Sequence, residues 1–290
     1  MKFKHWLNET ELSPKEIERL GQKAGTYNFP TGEEWEKIIR PHLVRKSKER
    51  NPDLDPELTA YTPGETLKIM EHPVIQKWHD SMKNYKVPKD YKNVVLVSCA
   101  ASKPWGEGCS SSFYQAYNQL KKEFPNSYFV TISEPLGIVP SENWDDFPQY
   151  DNPGLFKDTA LQSGLHTKHW KEKLGIDKRI MPFDTEAYEQ SIDKLSDVIA
   201  QFMDNNKDKN FISFVDDPEA MHKKLFGKKS SKTTTHGDML DKASAKSGIK
   251  INRFAKKAFV PKGSQRESGT TEKIKQHTFD ALNSLRLKLN

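Results

Sequence analysis

Residues 93–98, Asn-Val-Val-Leu-Val-Ser, decide the fold of this chain. Its four apolar residues run without a polar interruption, and three of them are β-branched. A strand with one wet face alternates polar and apolar, whereas a continuous run belongs to a strand covered on both faces, as in a parallel sheet. Two further runs repeat the pattern, Tyr128-Phe-Val-Thr-Ile-Ser133 and Asn210-Phe-Ile-Ser-Phe-Val215, and a shorter strand is expected near 179–183. Between them lie helical patterns over 113–123, 157–173 and 185–205, with another from Asp217. A helix over 63–85 leads into the first strand and is interrupted or kinked at Pro73, whose ring and missing N–H disturb a helix. Strands and helices alternating at this spacing predict an α/β fold: three-layer, with a mostly parallel sheet and helices on both faces.

The flanks differ in texture. Residues 1–62 read as a helical N-terminal appendage. One helix begins at Ser13-Pro14, with Ser as N-cap and Pro in the first turn, and another begins near Thr31 with Trp35, Ile38 and Ile39 on one side. The polar, Pro-containing stretch 45–63 is expected to be an exposed linker. Residues 63–226 form the α/β core. Residues 227–290 form a basic C-terminal extension closed by a docking helix over 270–289, with Ile274, Phe279, Leu282, Leu285 and Leu289 on one face.

Hydrophobic residues make up 34% of the chain and charged residues 30%, which predicts a modest core under a heavily solvated surface. The sequence holds no apolar run long enough to span a bilayer, and its start lacks the apolar stretch of a signal peptide, so a cytoplasmic protein without a membrane partner is expected. Two cysteines, Cys99 and Cys109, are too few for a disulfide framework or a four-thiolate metal site. The net charge of +6 is concentrated in 43–50, 223–232 and 242–262. Such patches favour polyanions through counterion release, and nucleic acid is the expected partner, although a lysine-rich solvated surface carries the same pattern.

In an open parallel sheet, ligands bind beyond the carboxyl ends of the strands, and two loops of this chain fall there. The first runs from Ser98 through Cys99, Ser102, Lys103, Pro104 and Trp105 to Ser110, Ser111 and Ser112. Its hydroxyls, the helix N-terminus that follows and Lys103 suit an anionic group, or the serines simply cap the helix. The second runs from Glu134 through Leu136 and Gly137 to Trp144, Phe147, Tyr150 and Asp151. A structureless stretch of that length inside a compact domain is usually functional. Tyr150 is a candidate to stack on a planar base, and Asp151 to accept a hydrogen bond or orient an amine. Trp144 and Phe147 fit the core better.

These loops resemble the central domain of archaeosine synthase, a family that modifies 7-deazaguanine in archaeal tRNA. That family carries Cys, three variable residues and Lys-Pro-Tyr after a buried strand, where this chain has Cys99-Ala-Ala-Ser-Lys103-Pro104-Trp105. Its Ser-Pro-Leu-Gly-Val-Val-Pro-Arg-Glu segment is similar to Ser133-Glu134-Pro135-Leu136-Gly137-Ile138-Val139-Pro140-Ser141-Glu142, and its Tyr-Asp-Ile-Pro to Tyr150-Asp151-Asn152-Pro153. The lead-in of His72-Pro73-Val74 and Val87-Pro88 is also similar, so the likeness covers roughly 65–225. Several ordered motifs are far more specific than one. The chain departs from the pattern at Ser98, where the family has Pro, at Gly108, where it has Ser, and at Ser111, where it has His. The transglycosylase-like and RNA-binding modules of the full-length family are not found in it.

The resemblance implies an enzyme that adds an amine, free lysine in the family, across the nitrile of preQ0 in tRNA or DNA. It implies no cofactor beyond that amine co-substrate and no metal. A separate transglycosylase or radical-SAM protein is an implied partner. Cys99, Lys103 and Asp151 become candidate catalytic residues, with Cys99 either a nucleophile toward the nitrile carbon or a pocket wall. Ser102, Pro104, Trp105, Ser110, Ser111, Ser112, Glu134, Leu136, Gly137 and Tyr150 become candidate substrate-binding residues. Asp151 or Glu134 is placed to deprotonate the amine. The alternative is a non-catalytic nucleic-acid or modified-base binding protein on the same core, and a glycosylase-like hydrolase is a third reading. His166 and His169 share a helix face without the carboxylate of a metalloprotease motif. The segment 233–238, Thr-Thr-Thr-His-Gly-Asp, reads as a flexible phosphate-contacting stretch or as a helix N-terminal turn.

Overall fold

The computed structural model describes residues 40–99, 117–118, 121–122, 124–146, 150–155, 184–215 and 234–254, together with Gln276 and Asp280. Among the described residues, five strands form one sheet: β1 (Asn93–Ser98), β2 (Ser127–Ser133), β3 (Gly137–Pro140), β4 (Asn210–Ser213) and β5 (Ile251–Arg253). Their spatial order is β3-β2-β1-β4-β5. β1 is central and runs parallel to β2 and β4, β4 runs parallel to β5, and β3 alone is antiparallel, on the edge beside β2. The three-layer, mostly parallel α/β architecture read from the sequence is therefore present. The chain leaves β1 toward one side to form β2 and returns on its other side to form β4, which makes the β1/β4 boundary a switch point.

One layer is built by α2 (Pro63–Ile69), α3 (Pro73–Lys83), α4 (Thr185–Asn205) and α5 (Thr235–Ser247), and α1 (Arg40–Arg50) is tied to it through Arg40 and Glu65 of α2. Helix α4 is its centre and buries Ile192, Leu195, Val198, Ile199, Phe202 and Met203 against Val94, Leu96, Val130 and Ile132 of the sheet. Each such side chain contributes about 2 kcal/mol of apolar burial. Along β2 the alternate side chain, Phe129, turns to the opposite face and meets Tyr117, which lies in a helical stretch, at a centroid distance of 5.0 Å.

One expectation is sharpened and two need correction. The break at Pro73 is complete: α2 and α3 are separate helices, with His72 as the N-cap of the second and Pro73 in its first turn. The stretch 45–63 is no exposed linker. It holds part of α1 and a short 3-10 helix (Pro56–Leu58), and it buries Leu54, Leu58, Ala60 and Tyr61. Its polar text masks an apolar residue every few positions, and the Ala60 N–H donates to Asp151 O at 3.0 Å. The stretch from Glu134 is likewise not structureless, because Gly137–Pro140 pairs with β2 and a 3-10 turn (Ser141–Asn143) follows. Trp144 is buried in the core, as expected.

The segment 227–290 contributes to the sheet itself. Helix α5 crosses over from β4 to β5, and its N-terminal turn is capped by Thr234, whose Oγ1 accepts the Gly237 N–H at 3.0 Å. That is the helix-start reading of the Thr-Thr-Thr-His-Gly-Asp stretch. Tyr188 donates to Asp238 at 2.6 Å and Ser196 to Met239 O at 3.1 Å, which lock α5 onto α4. Lys242 faces Glu189, and Lys246 faces Asp193 and Asp197. Part of the basic 242–262 patch thus lies against α4 carboxylates. The expected strand near 179–183, the helices over 157–173 and from Asp217, and the two N-terminal helices lie outside the described residues, as do His166, His169 and Phe147. Within the expected 270–289 helix, Gln276 and Asp280 are helical. No helix of the described residues is long and apolar enough to cross a membrane.

Candidate active site

Backbone register brings the two candidate loops together. Ser98 pairs with Ile132, and the next N–H, that of Cys99, donates to Ile132 O at 3.0 Å. Cys99 thus sits one residue past the end of β1, and Glu134 one residue past the end of β2. Both stand at the carboxyl edge of the sheet. Helix α3 fixes the turn that carries Glu134: Trp78 Nε1 donates to Ile138 O at 3.1 Å, and His79 Nε2 meets Pro135 O at 2.7 Å. A carbonyl only accepts, so His79 carries its proton on Nε2, and burial pushes this imidazole below its usual range. Gly137, at φ +78, opens β3 where a Cβ would meet Val198 of α4 at 3.4 Å. Its role in the fold is close approach of the turn to α4.

The third member comes from a different part of the chain. His236, in the first turn of α5, is buried and points its Nε2 at Glu134 Oε2, 3.0 Å away, and at Cys99 Sγ, 3.6 Å away. Cys99 Sγ, a Glu134 oxygen and a His236 ring nitrogen all lie within 4.8 Å of one another. Burial alone would lower the affinity of His236 for a proton. The Glu134 carboxylate, and after it Cys99, more than offset this and raise its pKa to about 10. Glu134 Oε1 is buried and has no hydrogen-bond partner among the described residues. Cys99 is the partly exposed member of the three.

Around this centre the loop 150–155 forms a strap. Tyr150 is fully buried, and its hydroxyl shares a 2.6 Å hydrogen bond with Ser133 Oγ. Burial first, then the charges at Cys99, Glu134 and Asp151, push its phenol well above the usual range. Asp151 Oδ2 accepts from Ser47 Oγ of α1 at 2.6 Å, and Tyr61 donates to the same Ser47 at 2.9 Å. Thr235 Oγ1 donates to Leu155 O at 2.8 Å and fastens the strap to the start of α5. At Gly154 a Cβ would lie 2.4 Å from Thr66 Oγ1 and 2.6 Å from Thr62 O, so only glycine allows this approach.

Of the residues singled out in the sequence, the structure brings Cys99, Glu134 and Tyr150 together. Asp151 is next to Tyr150 and tied to α1, and Leu136 is fully buried beneath the turn. Ser102, Lys103, Pro104, Trp105, Ser110, Ser111 and Ser112 lie outside the described residues. His236 is the residue that sequence reasoning missed. The available signal was positional: a crossover helix between parallel strands starts at their carboxyl edge, so its first turn faces the ligand side.

The fold and this cluster define an α/β protein with a thiol, a carboxyl and an imidazole converging at the carboxyl edge of a parallel sheet. Residues 75–154, from α3 to the strap, match the family model of a domain of unknown function (DUF5591). No curated protein and no solved structure matches the chain. The match includes Cys99 and Glu134 and stops short of His236.

Proposed function

We propose that this protein is a nucleic-acid base-modifying enzyme that adds an amine, lysine-like in the simplest case, across the nitrile of a 7-deazaguanine in tRNA or DNA. The observation that carries the reading is the convergence of Cys99, Glu134 and His236 beside the switch point of the sheet. The reaction forms a C–N bond and breaks one π bond of the nitrile. One proton leaves the amine nitrogen and one arrives on the nitrile nitrogen, so the product is an amidine and nothing is oxidised. Such a step needs a group that draws charge toward the nitrile nitrogen and an acceptor for the amine proton. The cluster supplies polar groups of that kind in a buried setting.

The choice of substrate rests on the motifs at Cys99–Trp105, Glu134–Pro140 and Tyr150-Asp151, which are similar to those of archaeosine synthase. A domain of the DUF5591 type occurs in that family. The family's signature histidine is Ser111 here, and His236 offers an imidazole beside Cys99 from a distant part of the chain. The net charge of +6 supports a polyanionic substrate. The test is mass spectrometry of nucleosides from tRNA and DNA of cells with and without the gene. It is paired with purified protein given preQ0-bearing RNA or DNA and free lysine. The expected result is a new nucleoside heavier by the mass of the amine. An unchanged deazaguanine profile in both polymers, with no product in vitro, overturns the proposal.

A further inference from the structure

We propose that Cys99, Glu134 and His236 are the protein ligands of a zinc-class divalent cation with one coordination position left for water or substrate. The argument starts from a single atom. His236 Nε2 faces both Glu134 Oε2, at 3.0 Å, and Cys99 Sγ, at 3.6 Å. A nucleophile–base–orienter array uses the two ring nitrogens separately, one for each partner. One ring nitrogen carries at most one hydrogen, so a proton there serves one of the two contacts and not the other. A cation between the three donor atoms serves them all.

The spacing agrees with this. Zinc lies about 2.3 Å from sulfur and about 2.0–2.1 Å from imidazole nitrogen or carboxylate oxygen, in a tetrahedron. Those bond lengths and the tetrahedral angle set the nitrogen and oxygen about 3.3 Å apart and the nitrogen and sulfur about 3.6 Å apart. The observed nitrogen–oxygen and nitrogen–sulfur separations are 3.0 and 3.6 Å and all three donor atoms lie within 4.8 Å of one another, so the ion is admitted once the sulfur and the carboxylate oxygen stand about 3.6 Å apart. A second observation is independent of these distances: Glu134 Oε1 is buried without a hydrogen-bond partner among the described residues. A buried carboxylate oxygen is costly when nothing meets it, and a cation or its bound water meets it.

Donor type narrows the ion. A thiolate, an imidazole and a carboxylate together suit zinc, whereas magnesium and calcium take oxygen donors. Three protein ligands with one position open is the pattern of catalytic zinc, and four is the pattern of structural zinc. The ligands stand on three separately anchored elements: the end of β1, the end of β2 and the first turn of α5. The cation's use in catalysis, unlike the site itself, rests on the function proposed above: at the open position it draws charge from a nitrile nitrogen. Cys99 then acts as a ligand and not as the attacking nucleophile.

The experiment takes the full chain, stripped with chelator and kept reduced, and titrates it first with Zn2+ and then with Co2+. One tightly held ion per chain is expected. The cobalt form should show a near-ultraviolet thiolate-to-cobalt charge-transfer band and visible bands of tetrahedral intensity. Cys99→Ser should abolish the charge-transfer band, and the near-isosteric Glu134→Gln should weaken zinc affinity more than about 100-fold while circular dichroism confirms folding. Absence of stoichiometric uptake by the folded wild-type chain overturns the site, and so does a cobalt spectrum insensitive to Cys99→Ser. The two proposals fail separately. Zinc-free protein that forms a covalent Cys99 adduct with the free 7-cyano-7-deazaguanine base overturns the metal site and leaves the base-modification reading standing. Zinc-loaded protein with no effect on nucleosides does the reverse.

Discussion

Two polar clusters, one at each edge of this sheet, treat their buried groups in opposite ways. At the amino edge, Asn206 closes the turn between α4 and β4 and uses its whole side chain. Its Oδ1 accepts the Val87 N–H at 2.8 Å, and its Nδ2 donates to Tyr85 O at 2.9 Å and to Phe202 O at 2.8 Å. At the carboxyl edge, Glu134 keeps one buried oxygen without a partner among the described residues, and one nitrogen of His236 faces two groups at once. Buried polar atoms are normally satisfied, so a satisfied cluster reads as architecture and an unsatisfied one as a place where something else belongs. One sheet thus carries a clamp at one end and a receptive cluster at the other.

Substitutions at the two edges should separate stability from activity. His236→Ala is expected to have the largest effect, a loss of about 1000-fold in amine addition, or about 4 kcal/mol of barrier. Single-turnover assays with preQ0-bearing RNA check this, and a loss under 10-fold breaks the contrast. Asn206→Ala should instead cost about 3 kcal/mol of stability by urea denaturation, because three backbone groups lose their partner. Its activity per folded molecule should be unchanged. Gly154→Ala should cost about 2 kcal/mol, since the new Cβ is forced into the Thr62 carbonyl and the Thr66 hydroxyl. Ser47→Ala should cost about 1.5 kcal/mol, because it removes one buried hydrogen bond to Asp151 and one from Tyr61. The smallest effect, about 0.3 kcal/mol, is expected for the exposed Lys242–Glu189 pair in a double-mutant cycle, and it should shrink with added salt.

What the sequence made legible was whatever apolar burial writes into it. β1, β2, β4 and α4 are runs or stripes of large apolar residues and could be read directly. β5 could not, because Ile-Asn-Arg holds one apolar side chain and joins the sheet through backbone hydrogen bonds to β4. Missing β5 meant missing that α5 is a crossover helix, and hence that His236 sits at the ligand edge. β3 was hidden for a similar reason: four residues, opened by Gly137 and closed by Pro140, give no period to detect. Two of the three residues of the cluster were nonetheless readable. Cys99 and Glu134 follow buried strands directly, and position after a strand is a local property. The partner that turns two loop residues into a cluster is fixed by tertiary topology, which no local pattern records.

That topology has a consequence for how the protein comes into being. Cys99 leaves the ribosome 137 residues before His236 does, and Glu134 102 residues before it. The cluster closes only when α5 has docked on α4 and β5 has zipped onto β4, pairings of high sequence separation that form late. A chain interrupted anywhere before residue 236 could fold much of its sheet and still have no completed cluster. Completion of the cluster therefore reports synthesis past α5: a chain that stops before His236 lacks its third member.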